Sequence, residues 1–150
     1  MDEEFTAYLK HLRAHRAELA ESMAALDAAL ATPLGTGVLW RRRVRAALTE
    51  LDHDLRDHVA ITERPGGLHD SLRAAAPRLS SGVDRLTRDH EAFLAEVTRL
   101  LDQRDEGLDD AGVQAHREAA TSLVGQLVRH RQRGADLLYE AYALDLGGSG

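Results

Sequence analysis

The segment LVRHRQRGADLLYEAY, residues 127–142, combines a helical repeat of apolar side chains with an imidazole on the same face. Leu127, Leu137, Leu138 and Ala141 fall on one face of a helix with 3.6 residues per turn, the pattern of an amphipathic helix. His130 lies on this apolar stripe, where a leucine would be buried at lower cost. The segment therefore predicts a helix of a helical core and raises the question of why that core contains a histidine.

Three other stretches carry the same repeat, so the sequence predicts four long helices. They are expected at residues 2–31, at 38–63, along an apolar face from Val83 to Leu101, and at 111–143, with breaks at TPLGTG, RPGG and DEGLDDAG. A short helix is expected before Pro77, and no alternating pattern indicates a strand. The predicted fold is all-α, an up-down-up-down four-helix bundle, with one domain over residues 1–146 and a flexible tail at 147–150.

Composition excludes several classes of function. The 150 residues contain no cysteine, which excludes disulfides, thiolate nucleophiles and cysteine-ligated zinc or iron–sulfur centres. The net charge of −6 argues against a general nucleic-acid-binding protein. No apolar run approaches the ~20 residues of a membrane span, and the acidic N-terminus MDEEFTAYLK does not resemble a signal peptide. We therefore expect a cytoplasmic protein without membrane or nucleic-acid partners.

Each predicted long helix carries one histidine on or near its apolar stripe: His15, His58, His90 and His130. A single buried histidine is usually explained by a hydrogen bond in the core. Four imidazoles meeting in one core favour a bound cation, because neutral imidazole is a common metal ligand. Glu63, five residues after His58, would add a carboxylate. A mixed imidazole–carboxylate set in a bundle suits iron or manganese, often as a pair, and zinc is also compatible.

Three strings resemble the hemerythrin-like (HHE) cation-binding domain in its actinobacterial branch: DHVAITERPGGL (57–68), RLTRDHEAF (85–93) and LVRHRQRGADLLYEAYALDLGG (127–148). The resemblance implies a four-helix bundle with a non-haem di-iron centre that binds dioxygen, senses oxygen or redox state, or reacts with hydrogen peroxide or nitric oxide. It also implies that His15, His58, His90 and His130 are metal ligands.

The chain departs from the family pattern at three ligand positions, which are occupied by Thr62, Leu86 and Gly134. The resemblance therefore implies a site with fewer histidines and some oxygen ligands, including Glu63, which lies next to Thr62. Such a site would favour turnover of peroxide or nitric oxide, a peroxidase- or catalase-like activity, over reversible oxygen carriage. His69, which follows RPGG, is a further candidate ligand. The pattern indicates no particular catalytic residue.

Other interpretations stay open at this stage. The chain can be an oxygen or redox sensor without catalysis, or a metal-free helical interaction bundle whose core histidines are satisfied by hydrogen bonds. The basic segment LWRRRVR (39–45) is typical of a solvated surface, with a nucleic-acid contact as the alternative. Tyr8 is either a core residue or a phenolate ligand.

Overall fold

The computed structural model describes residues 3–104 and 109–143 and contains no strand in these ranges. Its helices are α1 (Glu3–Ala31), α2 (Val38–Glu63), α3 (Leu68–Ala75), α4 (Ser80–Asp102) and α5 (Asp110–Tyr142), with a 3₁₀ helix at Pro77–Leu79. The four long helices pack antiparallel in a bundle, so the predicted fold class is confirmed. The short helix expected before Pro77 is α3. The tail predicted at 147–150 lies outside the described residues.

Helix ends follow from local backbone chemistry. Between α1 and α2, Gly35 and Gly37 adopt positive φ angles of 53° and 88°, which side-chain-bearing residues rarely adopt. α2 ends at Glu63 because Arg64 precedes a proline and is extended, with φ −58° and ψ 152°. α5 begins at a capped end, since the Asp109 carboxylate accepts the N–H of Gly112 at 2.8 Å. No helix of the described residues has the length and apolar content needed to cross a bilayer.

The RPGG turn sets the position of α3. Gly66 has a φ of 75°, in the left-handed region. A Cβ on Gly67 would lie 2.9 Å from the backbone oxygens of both Ile61 and Arg64. The turn is therefore tight enough to require glycine at both positions, and it directs α3 across one end of the bundle against α2, α4 and α5.

Two tyrosines hold α3 in place. The Tyr8 hydroxyl donates to the carbonyl of Ile61 at 2.6 Å and accepts the N–H of Leu68 at 2.8 Å. The Tyr142 hydroxyl donates to the carbonyl of Ser71 at 2.9 Å. Burial raises the pKa of Tyr8, so its phenol stays protonated. Tyr8 is thus a core residue that joins α1 to the start of α3.

The apolar core consists of two separate clusters. The distal cluster comprises buried residues of α1 from Leu19 onward, of α2 up to Leu55, of α4 from Phe93 onward and of α5 up to Leu127. The proximal cluster lies beside α3 and contains Tyr8, Leu9, Leu12, Leu68, Leu72, Val83 and Leu138. Each long helix places at least one buried polar side chain between the two clusters.

Candidate metal centre

Buried polar side chains form a layer across the bundle between the two apolar clusters, which we call the polar layer. Its members are Arg16 of α1, His58 of α2, His69 of α3, His90 of α4, and His130 and Arg131 of α5. None of them is more than 9% exposed. Burial of a polar group without a hydrogen-bond or metal partner is unfavourable. The role of the polar layer therefore follows from the partners of each ring and guanidinium.

Three histidines of the polar layer converge. One ring nitrogen each of His58, His90 and His130 lies within 4.8 Å of the others, so these residues could hold a metal ion. The closest approach joins Nε2 of His90 to Nε2 of His130 at 3.1 Å. The ring of His58 stands nearly perpendicular to both, with centroids 5.1 Å and 5.9 Å away. Three of the four helix histidines expected from the sequence therefore meet at one depth.

Carboxylates bind the outer nitrogens of two of these rings. Glu63 contacts Nδ1 of His90 at 2.5 Å, and Asp89 contacts Nδ1 of His130 at 2.9 Å. Arg133 donates to the same oxygen of Asp89 at 2.6 Å. An ionised carboxylate only accepts hydrogen bonds, so each of these Nδ1 atoms carries the proton. Metal-binding histidines in proteins are commonly held by this kind of contact to the ring nitrogen away from the metal.

The tautomers fixed in this way leave two lone pairs facing each other. With Nδ1 protonated, the Nε2 atoms of neutral His90 and His130 both present lone pairs, and they are 3.1 Å apart. Two acceptors at that distance repel unless a cation lies within reach of both or one ring gains a second proton. The arrangement therefore favours a bound cation.

Burial opposes a second proton on these rings. It lowers the pKa of His130 to about 4 despite the Asp89 contact, and it lowers the pKa of His90 despite Glu63. Burial also lowers the pKa of His58 well below its usual value, and the neighbouring His90, His130 and Arg16 lower it further. The rings are therefore neutral at pH 7, the form in which imidazole binds metal ions.

The free nitrogen of His58 and the charge of Asp89 also fit a metal site in the polar layer. Nδ1 of His58 is buried and has no hydrogen-bond partner among the described residues, so a ligating nitrogen is available on the third ring. Burial raises the pKa of Asp89, but hydrogen bonds from His130 and Arg133 outweigh it, and the pKa lies below its usual value. Asp89 is thus ionised and able to orient His130. The donor set fits a transition-metal ion.

The two remaining candidate ligands near the triad occupy outer positions. The His69 ring stacks on His90 with centroids 5.4 Å apart, and its Nδ1 is 3.1 Å from the Thr87 hydroxyl. Burial, aided by nearby His90, lowers the pKa of His69 to about 4. Glu63 is held at His90, on the nitrogen away from His130. Ligation by Glu63 or His69 stays a prediction.

The structure places His15 at the edge of α1. Its side chain is 20% exposed, its Nδ1 lies 3.6 Å from Glu18, and its ring packs against His11 with centroids 4.6 Å apart. The buried residue of α1 at the level of the triad is the next one, Arg16, which is 5% exposed. Of the four long helices, α2, α4 and α5 thus present imidazoles to the polar layer, and α1 presents a guanidinium. Metal ligation by His15 stays a prediction.

Sequence reasoning did not single out Asp89, Arg16 or Arg133. Arg16 could have been found, because it lies four residues after Leu12 and three before Leu19, in the middle of the buried stripe. Asp89 lies beside the stripe of α4 and reaches His130 only because α4 packs on α5. The pattern along one helix carries no signal for that contact.

Three residues of the basic segment 39–45 donate hydrogen bonds to backbone carbonyls elsewhere in the protein. Trp40 is 1% exposed, and its indole donates to the carbonyl of Leu30 at 3.4 Å. Arg41 donates to the carbonyl of Arg104 at 3.2 Å and Arg45 to that of Leu101 at 2.7 Å. Both guanidiniums thereby satisfy carbonyls at or just beyond the C-terminal end of α4, a favourable position for a cation.

The other buried histidine belongs to the distal end of the bundle. His116 packs edge-on against Trp40, and its Nδ1 is 2.7 Å from the Gln103 side-chain oxygen. His53, Asp54 and Asp57 form a second group with ligand-like spacing on α2, but the side chain of His53 is 71% exposed. Exposed groups of this kind are common without a metal, so the buried triad is the stronger candidate.

Comparisons with models of protein families, with curated proteins and with solved structures found no match to this chain. The fold and the triad are therefore defined by the structure alone, and the likeness to hemerythrin-like proteins is carried only by the residues described above.

Proposed function

We propose that His58, His90 and His130 bind a transition-metal ion, one ring nitrogen each, and that metal binding is the function of the polar layer. The observation that carries the proposal is the pair of facing Nε2 atoms, 3.1 Å apart, on rings whose Nδ1 atoms contact carboxylates. A structural role alone would require only one hydrogen bond per ring. A cation satisfies both lone pairs and the third ring at once.

The proposed ion is non-haem iron. Three imidazoles also suit zinc, and manganese is favoured by additional oxygen ligands, so metal identity is an outcome to be measured. The residues of the triad suffice for one ion. A second iron, as in the di-iron centre that the resemblance implies, would need ligands from Glu63, His69 or His15.

The proposed chemistry follows from the number of protein ligands. Three protein ligands leave coordination positions open, and iron with open positions can react with dioxygen, hydrogen peroxide or nitric oxide. The chain's own contribution is to orient His90 through Glu63 and His130 through Asp89, and to bury the centre between two apolar clusters.

Metal binding is tested with protein prepared without an affinity tag. Metal content is measured by mass spectrometry for the wild type, for His130→Gln, and for His53→Gln, which removes an exposed histidine. We expect the wild type and His53→Gln to hold about one metal ion per chain or more, and His130→Gln to lose most of it. Equal metal content in His130→Gln, or a metal-free wild type after incubation with iron or zinc, would contradict the proposal and favour a metal-free interaction bundle.

Reactivity is tested separately on iron-loaded protein. Absorption spectra are recorded before and after addition of hydrogen peroxide, nitric oxide or dioxygen, with zinc-loaded protein as the control, because zinc has no redox chemistry. We expect a spectral change with at least one of the three reagents for iron and none for zinc. An unchanged iron spectrum with all three would show that the proposed chemistry is wrong while metal binding holds.

A further inference from the structure

A cleft lies at the proximal end of the bundle, where the start of α1, the RPGG turn, α3 and the end of α5 meet. Its volume is about 570 Å³, within the range of about 300–1,000 Å³ that is typical of small-molecule sites. The small, exposed side chains of Ala74 and Ala75 line one side and leave the cleft open. None of the residues that line it belongs to the polar layer, so the cleft is separate from the candidate metal centre.

Aromatic rings form the apolar wall of the cleft. Phe5 and Tyr8 are stacked with centroids 6.2 Å apart, and the ring of Tyr142 lies 5.5 Å from that of Phe5 at an angle of 51°. Tyr8 is buried, whereas Phe5 and Tyr142 are half-buried, so their rings retain surface that a ligand can cover. Flat apolar groups pack favourably against such rings in offset-stacked or edge-to-face contact. The wall therefore suits a ligand with a flat apolar body.

The hydroxyl groups of this wall already have partners within the protein. The Tyr8 hydroxyl bonds the backbone at the end of α2 and the start of α3, and the Tyr142 hydroxyl donates to the carbonyl of Ser71. The charged groups in the lining are one guanidinium, that of Arg64, and one carboxylate, that of Glu4. The charged groups of a ligand in the cleft would therefore meet one positive and one negative side chain.

Arg64 is held in place but has no anionic partner. Its guanidinium lies over the face of Tyr8, 4.6 Å from the ring centroid, in a cation–π contact. Among the described residues, no carboxylate forms an ion pair with Arg64 and no cation forms one with Glu4. The two side chains do not pair with each other either, so solvent or a ligand must satisfy both charges. A guanidinium presents several N–H donors in one plane, which is the geometry that a carboxylate accepts.

We propose that this cleft binds a small zwitterion with a flat apolar body, the chemistry of a free aromatic amino acid. The Arg64 guanidinium binds the carboxylate, Glu4 binds the ammonium group, and the ring of the ligand packs against Phe5 and Tyr142. An anion alone gains attraction from Arg64 and repulsion from Glu4, and a cation alone the reverse. A zwitterion gains attraction from both side chains, and an uncharged aromatic compound gains it from neither.

The test uses the whole chain and L-phenylalanine as the probe, with binding measured by isothermal titration calorimetry. The matched ligands are phenylpropionate, which lacks the ammonium group, and phenylethylamine, which lacks the carboxylate. Arg64→Gln and Glu4→Gln each remove one charge, and Arg129→Gln and Glu91→Gln are controls at exposed residues outside the cleft. We expect the wild type to bind L-phenylalanine with a Kd of about 1 mM or below, and more tightly than either matched ligand.

The charge variants identify which end of the ligand each side chain binds. Because the cleft is open to solvent, loss of one charge contact should weaken binding by about three- to tenfold. We expect Arg64→Gln to show this loss for L-phenylalanine and phenylpropionate but not for phenylethylamine. We expect Glu4→Gln to show it for L-phenylalanine and phenylethylamine but not for phenylpropionate. The two control variants should stay within about twofold of the wild type for all three ligands.

Three results would overturn the proposal. They are no binding of L-phenylalanine by the wild type at concentrations up to about 10 mM, an unchanged affinity for it in both charge variants, or an equal loss for phenylpropionate and phenylethylamine in Arg64→Gln. Arg64→Lys, which keeps the positive charge, should bind L-phenylalanine more tightly than Arg64→Gln, and an affinity no higher than that of Arg64→Gln would also contradict the proposal. Should Arg64→Gln not fold, Glu4→Gln provides the same comparison for the other end of the ligand. These outcomes do not depend on a bound metal ion, so their failure leaves the proposed function untouched.

Discussion

Replacing Asp89 by asparagine tests how the candidate metal centre is held together. One oxygen of Asp89 accepts from His130 at 2.9 Å and from Arg133 at 2.6 Å, and the side chain is 19% exposed. Asparagine preserves the size and an accepting oxygen but removes the negative charge. We expect His130 to become a weaker, less firmly oriented ligand, because the carboxylate that makes its Nε2 more basic is gone.

The expected magnitude follows from the number of ligands affected. Asp89 orients His130 but neither His90, which is held by Glu63, nor His58, so the variant retains two of the three ligands in their places. Loss of such an orienting contact typically lowers metal affinity by 10- to 100-fold, which corresponds to about 1.4–2.7 kcal/mol. For a chain of this length, ~1 kcal/mol changes the melting temperature by about 2–4 °C. At an equal free metal concentration well above both dissociation constants, the stabilisation by metal should therefore be smaller by about 3–10 °C in the variant.

The assay is a metal titration followed by thermal melting, with Asp84→Asn as the control. Asp84 lies on the same helix, and its carboxylate also contacts an arginine, Arg73, at 2.7 Å, but its side chain is 54% exposed and it contacts no histidine in the described residues. We expect Asp84→Asn to retain the metal affinity of the wild type. A metal affinity of Asp89→Asn within about twofold of the wild type would refute the inference that the carboxylate holds a metal-ligating ring.

Three further substitutions test the fold around the centre. Gly67→Ala should lower the free energy of unfolding, measured with denaturant, by about 1–3 kcal/mol, because the new Cβ would meet two backbone oxygens at 2.9 Å. An unchanged free energy of unfolding would contradict the tight turn. Gly134→Ala should instead raise the free energy of unfolding by about 0.5–1 kcal/mol in the same assay, because alanine favours the helix and its Cβ would enter open space. A lower free energy of unfolding would show that the space beside Gly134 is not open. Tyr8→Phe should lower the free energy of unfolding by about 1–3 kcal/mol, and with it the melting temperature, because the N–H of Leu68 loses its acceptor, whereas the metal content should stay constant. A loss of metal would identify a phenolate ligand instead.

The helices and the triad are predictable from the sequence because both depend on spacing along one helix. The 3.6-residue repeat locates α2, α4 and α5, and His58, His90 and His130 share the face of their leucines. Helical breaks are equally local, since Pro33, Pro65 and the glycines beside them act on their immediate neighbours.

Contacts between helices are not predictable in this way. His15 and Arg16 differ by one residue, about 100° of rotation, and only packing against α2 and α5 decides which of them is buried. Ligation by Glu63 stays a prediction, but its 2.5 Å contact with Nδ1 of His90 joins α2 to α4 and could not be derived from either helix alone. Asp89 meets His130 across two helices, and that contact depends on the rotation and axial offset of α4 relative to α5. None of these quantities is present in a one-dimensional pattern.

The division of the core into two apolar clusters has a consequence for the cooperativity of unfolding. Leucines packed against each other along the whole length of a bundle would make its two ends unfold together. In this protein the polar layer separates the apolar cluster at one end from the cluster at the other. Without a bound ion, we expect amide hydrogens near α3 to exchange at lower free energy than those around Trp40, as two partly independent folding units. An ion that joins α2, α4 and α5 would merge these units, so that exchange protection at both ends rises together and melting becomes a single sharp transition.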